Sequence, residues 1–246
     1  MTRPAYFPPV VLDFLWEALD VGEPPYPLRV RSHGATVDER SQLRNQVYGD
    51  LKARGLLDTR GRLRANLENW LGLLARAERS VDSVFVRERG GPAVHALAVE
   101  SGATALLAEQ SDEGLSVRVV PVGSLASSIV SMLPPAPRGT ERSVTVPRDQ
   151  LAAGPAAAGG DAEVLATIFD KPRLRAGQLG ANHRDKLGGR HRAPVLSWFD
   201  TESGRYLSYA NPGRDGLEWI TVAPADPATL RHRLGELLRA AGNRKL

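Results

Sequence analysis

The chain has 246 residues, 42% hydrophobic and 24% charged, with a formal charge of +4. That balance is ordinary globular usage at a length able to bury one large core or two small ones, and it excludes a fibrous or wholly disordered chain. Cysteine is absent, which removes disulfides, thiolate metal sites and cysteine nucleophiles. No stretch approaches the roughly 18 apolar residues of a membrane helix. The first apolar run is broken by Pro8, Pro9 and Asp13, so neither a signal peptide nor an anchor is expected and the expected compartment is the cytoplasm. Arginine supplies 28 of the 32 basic side chains; with so much Ala, Gly and Pro this reads as GC-rich codon usage, although a basic surface attracts polyanions whatever its origin.

Val11, Leu12, Leu15, Trp16 and Leu19 recur at helical spacing and predict a helix over 10–19, stopped by Gly22 and the turn Pro24-Pro25-Tyr26-Pro27. Leu43, Val47 and Leu51 predict a second helix over 37–54 with Gly55 as its stop, and Leu67, Trp70, Leu71 and Leu74 a third over 66–79. From Val81 the period changes to two. Val84–Val86, Val94–Val99, Thr104–Leu107 and Leu115–Val120, separated by glycine and acidic turn residues, predict a four-stranded antiparallel meander. Ser124 is placed to cap a short helix reaching Leu133. Residues 134–160 are poor in large apolar side chains and are expected to be an exposed linker.

Sliding the chain against itself brings out a repeat. Glu100-Ser101-Gly102 returns as Glu202-Ser203-Gly204, and the same offset of 102 pairs Pro92 with Pro194, Gly114 with Gly216, Leu115 with Leu217 and Val120 with Val222. Each copy reads as a hairpin, a third strand and a helix folded back over the sheet. Halves at about 81–133 and 184–240 would then share one sheet in a single domain with approximate internal two-fold symmetry, an α+β architecture.

The search for catalytic chemistry is negative. There is no phosphate-cradling loop, since Arg175-Ala-Gly177-Gln-Leu-Gly180 is not a dinucleotide fingerprint, and Gly123-Ser124-Leu-Ala-Ser is not a nucleophile elbow. His33, His95, His183, His191 and His232 lack metal-ligand spacing. No enzyme, metal or cofactor is expected. The one charge cluster runs through Lys171, Arg173, Arg175, His183, Arg184, Lys186, Arg190, His191 and Arg192, with Trp198, Tyr206 and Tyr209 downstream as stacking planes. A basic nucleic-acid-binding or regulatory module is the alternative that this cluster keeps open. Asp170, Asp185, Asp200 and Glu202 stand in the same stretch, which favours a solvated loop or a protein contact.

The ordering resembles the EspG family, the ESX secretion-associated proteins of actinobacteria. The resemblance rests on Val11-Leu12 to Leu15-Trp16-Glu17-Ala18 followed by Gly22-Glu23-Pro24, on Arg54-Gly55-Leu56-Leu57, on Leu67-Glu68-Asn69-Trp70-Leu71, and on Pro121-Val-Gly-Ser-Leu-Ala126. It ends with the stretch from Arg192 through Trp198 and Glu202-Ser203-Gly204 to Leu207, and with Trp219-Ile-Thr-Val-Ala-Pro224. Between Arg87 and Pro92 the chain is shorter than the family's longer loop. Membership implies a central twisted antiparallel sheet flanked by two helical groups, no cofactor, and a cytosolic chaperone that binds the tip of a helical type VII secretion client, PE/PPE-like or WXG-type, without membrane insertion. A monomer or weak homodimer is expected. Trp198, Arg205, Tyr206, Tyr209 and Trp219 are the candidate anchors for that partner. Strand alternation puts Arg205 and Tyr209 on the face opposite Tyr206, so some of the five must be core, with Arg205 expected on the exposed face.

Overall fold

The computed structural model describes residues 4–149, 160–213 and 216–243. Three helices open the chain after a short strand β1 (Ala5–Phe7): α1 (Pro9–Leu19), α2 (Val37–Ala53) and α3 (Ala65–Arg76). Pro9 begins α1, where its missing N–H costs nothing, and Asp20 closes it in the left-handed region at φ 44°. Asp13, which reads as a break in an apolar run, is buried and ties α1 to α2. Its carboxylate accepts from the His33 amide at 2.7 Å and from Arg40 at 3.0 and 3.1 Å. Burial pushes its pKa up, but the hydrogen bonds and charge of Arg40 and the His33 amide outweigh that and hold it below the usual carboxylate range.

Helix α2 starts on a reciprocal cap. The Glu39 amide donates to Thr36 Oγ1 at 3.2 Å, while Glu39 Oε2 reaches back to the Ala35 amide at 2.7 Å. With only Val47 and Leu51 of this helix buried, tertiary packing supports it weakly. Thr36→Ala is expected to cost about 1 kcal/mol, seen as a lower Tm without loss of helicity at 20 °C.

The meander expected from Val81 onward is present as β2 (Arg79–Val86), β3 (Ala93–Ser101), β4 (Thr104–Ser111) and β5 (Gly114–Val120), followed by α4 (Leu125–Val130). Two boundaries differ from expectation. Helix α3 ends at Arg76, because β2 begins at Arg79 to pair with β3. Ser124 occupies the cap position of α4, but its hydroxyl donates to the Pro121 carbonyl at 2.5 Å instead of capping.

The expected linker is largely structured where it is described. Residues 134–139 lie along β10 (Gly204–Pro212): the Arg205 amide donates to the Pro137 carbonyl, and the Gly139 amide to the Arg205 carbonyl. Val144–Pro147 form an edge strand, β6, and Gly160–Phe169 a helix, α5; residues 150–159 fall outside the described residues. The rest of the chain is β7 (Arg175–Arg184), β8 (Arg190–Arg192), β9 (Leu196–Thr201), β10, β11 (Glu218–Pro224) and α6 (Pro227–Asn243).

Among the described residues eleven strands form one antiparallel sheet in the order β1-β5-β4-β3-β2-β7-β9-β10-β11-β6, with β8 beside β7. One face, called face A below, packs α4 and α6 over Val81, Phe85, Leu179, Leu196, Trp198 and Leu207. On the opposite face, face B, α1–α3 cover β3–β5 through Leu97, Val99, Leu106 and Val117, and α5 covers the other end through Phe199, Tyr206 and Val222. The architecture is the α+β sheet flanked by two helical groups that the resemblance implies.

The strand order reads the same on both sides of the β2–β7 seam, each side running strand, hairpin, third strand, with a helix on face A. The offset that relates the two hairpins is not the gapless 102. The β3–β4 turn is Gly102-Ala103, between Ser101 and Thr104, whereas the β9–β10 turn is Glu202-Ser203, between Thr201 and Gly204. Glycines 102 and 204 both have positive φ, 55° and 112°, but one sits inside its turn and the other just after it. The first strand of the second side is β7, which begins before residue 184.

Candidate functional site

The five expected anchors come apart. Trp198, Arg205 and Tyr206 are at most 1% exposed, and Tyr209 and Trp219 are partly buried. Arg205 does lie on the face opposite Tyr206, yet the 134–139 segment and Trp198 cover it there and the residue is interior, which corrects the expectation of an exposed arginine. Its guanidinium grips buried Asp200 in a two-pronged ion pair, Nε to Oδ1 at 2.7 Å and Nη2 to Oδ2 at 2.9 Å. It also donates to the Pro134 carbonyl at 2.7 Å and lies over the Trp198 ring, 4.5 Å from its centroid. Arg175 adds Nε to Asp200 Oδ2 at 3.0 Å. This knot fastens the 134–139 segment to the sheet. A related pair joins β2 to β3, where Arg79 meets Glu100 at 3.0 Å and the Gly123 amide donates to the other carboxylate oxygen at 2.5 Å. Tyr209 lies under Arg233 of α6, whose guanidinium is 4.0 Å from the ring centroid.

The basic cluster is likewise drawn inward. Arg192 pairs with buried Asp82 through two hydrogen bonds of 2.6 and 2.9 Å, His191 meets Asp185 at 3.2 Å, and Lys171 donates to Ser203 at 2.9 Å. Arg173, Arg184 and Arg190 keep their charge without an ion pair among the described residues, but they stand apart, Arg173 just after α5 and the other two on the β7–β8 hairpin, and do not line one track.

What stays open is the middle of face B. The row of neighbouring residues Gln110, His95, Val84, Gln178, Ser197 and Ser208 crosses five strands and β10 without an apolar residue other than Val84. Such a row cannot support a dry core against a helix, and no described helix covers it: α1–α3 stop on one side and α5 on the other. The result is a trough floored by β2, β7 and β9, with Phe169 and Arg173 on the α5 wall. Arg173 lies over both Phe169 and Phe199, 5.6 and 5.2 Å from their centroids, so its charge is presented from a rigid aromatic platform.

The opposite wall is the loop after α1. Gln110 pins it by pairing with both backbone groups of Arg29, accepting from the amide at 2.8 Å and donating to the carbonyl at 2.7 Å. This sets Arg29 and Arg31 beside His95, and Ala93 lines both this hollow and the trough. Arg31 reaches Asp112 only at 4.0 Å, with both side chains more than 70% exposed, so its charge is available. Burial, and then the charge of Arg29, push the His95 pKa down, leaving a neutral ring on the floor. Of these residues sequence reasoning named Arg173 and His95 but gave neither this setting. Among the described residues no cluster of three His, Cys, Asp or Glu could hold a metal, and no helix is long and apolar enough to cross a membrane.

No curated protein matches the chain. Among solved structures it is similar to the Mycobacterium tuberculosis type VII secretion system chaperone EspG5, determined in complex with the PE25–PPE41 dimer, at a TM-score of 0.73 and 16% identity over 96% of each chain. At that identity the likeness carries the fold. The EspG family model matches residues 8–236, nearly the whole chain. The chain belongs to the EspG family.

Proposed function

We propose that this protein is a cytoplasmic type VII secretion chaperone that binds the tip of a helical client, PE/PPE-like, and keeps it soluble for export, a binding role and not a catalytic one. The family match across residues 8–236 carries the reading, and the likeness to a chaperone solved with a PE–PPE dimer supports it. The trough on face B is the docking surface that fits best. It is a concave stretch of sheet between the end of α5 and the loop after α1, with half-buried Val84 and Val86 as apolar contacts and Arg29, Arg31 and Arg173 as a basic rim. Of the five anchors named from sequence, only Tyr209 and Trp219 retain exposed surface, and both lie on the far face. We also propose that the chain is one domain built from a repeat, with halves near 81–133 and 175–240; the mirrored strand order and the corresponding Arg79–Glu100 and Arg175–Asp200 pairs favour it.

The test is co-purification with helical proteins encoded next to the gene, followed by affinity measurement. Val84→Glu, which puts an unpaired charge on the trough floor, is expected to weaken capture roughly 100-fold or more. Arg239→Glu, an exposed position on α6, should leave it unchanged. Failure of the parent chain to capture any such neighbour would sink the chaperone reading, whereas equal capture by Val84→Glu would remove only the trough.

A further inference from the structure

Face B holds a second concavity, separated from the trough by the Arg192–Asp82 pair. It is a cavity of about 110 Å³ between Tyr26, the end of α3 at Leu74, and the β7–β8 hairpin. Arg184 and Arg190 both line it and stand directly opposite one another in the β7–β8 register. Like charges in that position destabilise a strand pair. Arg184 Nη2 donates to the Ala75 carbonyl at 3.2 Å, and neither guanidinium forms an ion pair among the described residues. Arg192, the third arginine of the lining, is already engaged by Asp82. Glu78 is the acidic residue of the lining. Burial, and then the charges of Arg190 and Arg76, hold the Arg184 pKa below its usual value, as expected where like charges share a cavity. A neutral donor completes the set: Ser80 Oγ accepts from Asn182 Nδ2 at 3.2 Å, leaving its own proton to donate into the cavity.

We infer that this cavity binds the phosphate group of a small molecule, held between Arg184 and Arg190 with the Ser80 hydroxyl as a third donor. A planar carboxylate is satisfied by one guanidinium fork; two guanidinium groups and a hydroxyl together match a tetrahedral group with several acceptor oxygens. An anion seated between the two arginines would also remove their repulsion, so the empty and filled cavities should differ in stability. The site is independent of the client trough.

Inorganic phosphate titrated into the full chain at constant ionic strength is expected to raise Tm saturably, by roughly 3–5 °C at tenfold over its dissociation constant. Arg190→Gln, at an exposed position that the fold tolerates, should abolish the saturable part, and Arg184→Gln should do the same. Phosphate also stabilises proteins generally by exclusion from their surfaces. A rise that persists unchanged in Arg190→Gln therefore overturns the site, as does no rise in the parent. An equal saturable rise with acetate, lost in the same variant, would overturn the assignment to phosphate in favour of a carboxylate.

Discussion

Asp200→Asn should lower the melting temperature by about 10 °C or more. Asp200 and Arg205 are each 1% exposed, and the carboxylate accepts both prongs of Arg205 as well as Arg175. An amide would leave the Arg205 guanidinium buried against Trp198 without a counter-ion. Removing one partner of a buried pair costs about 3–5 kcal/mol, and in a chain of this size each kcal/mol moves Tm by roughly 2–4 °C. The reverse change is gentler. Arg205→Met leaves Asp200 with Arg175, whose side chain is one quarter exposed and keeps some solvation, so it should cost less than half as much. Arg205→Glu, which sets two carboxylates together in the interior, should yield no folded protein. Thermal denaturation of the three variants decides the order; Arg205→Met as damaging as Asp200→Asn would show that Arg175 cannot hold the carboxylate alone.

Gly177→Ala is expected to cost about 3 kcal/mol although it adds one methyl group. A Cβ at this position would stand 2.5 Å from Phe85 Cβ, 2.8 Å from Trp198 Nε1 and 2.9 Å from the Val84 carbonyl oxygen. None of these is the free end of a flexible side chain, so the β2–β7–β9 seam would have to spread, and overpacking of a closed core costs about 1–3 kcal/mol, sometimes more. Gly102→Ala meets nothing within 4 Å, so its cost should be confined to the strain of its φ of 55°. Urea midpoints for the two variants measure the contrast. Equal destabilisation would mean that the seam is loosely packed.

The same glycine explains why the centre of the sheet was the least legible part of the sequence. Strand β7, Arg-Ala-Gly-Gln-Leu-Gly-Ala-Asn-His-Arg, has little of the apolar alternation that marks β3 or β4, and its charges read as a solvated loop. Its neighbours supply the bulk instead. Phe85 and Trp198 close over Gly177, and Arg192 reaches across Gly180 to Asp82. The residues that make β7 a central strand are thus contributed by other strands, and no local window contains them. The helix α5 and edge strand β6 were missed for a related reason: each is short and buries only a few side chains, Leu165 and Ile168 in one, Val144 and Val146 in the other.

Local pattern alone determined the three opening helices, the meander from β2 to β5 and the α+β class, because those segments bury one face against their own neighbours in the chain and so display the period of that face. Tertiary structure alone decided which polar residues are interior and which are free. Arg205 and Arg173 are the same residue type in similar company, yet one is locked to Asp200 beneath the 134–139 segment and the other stands on Phe199 at the rim of the trough. An arginine carries its charge in either place, and only the carboxylates and rings that the sheet brings beside it, from strands far apart in the chain, settle whether that charge holds the fold together or is left for a partner.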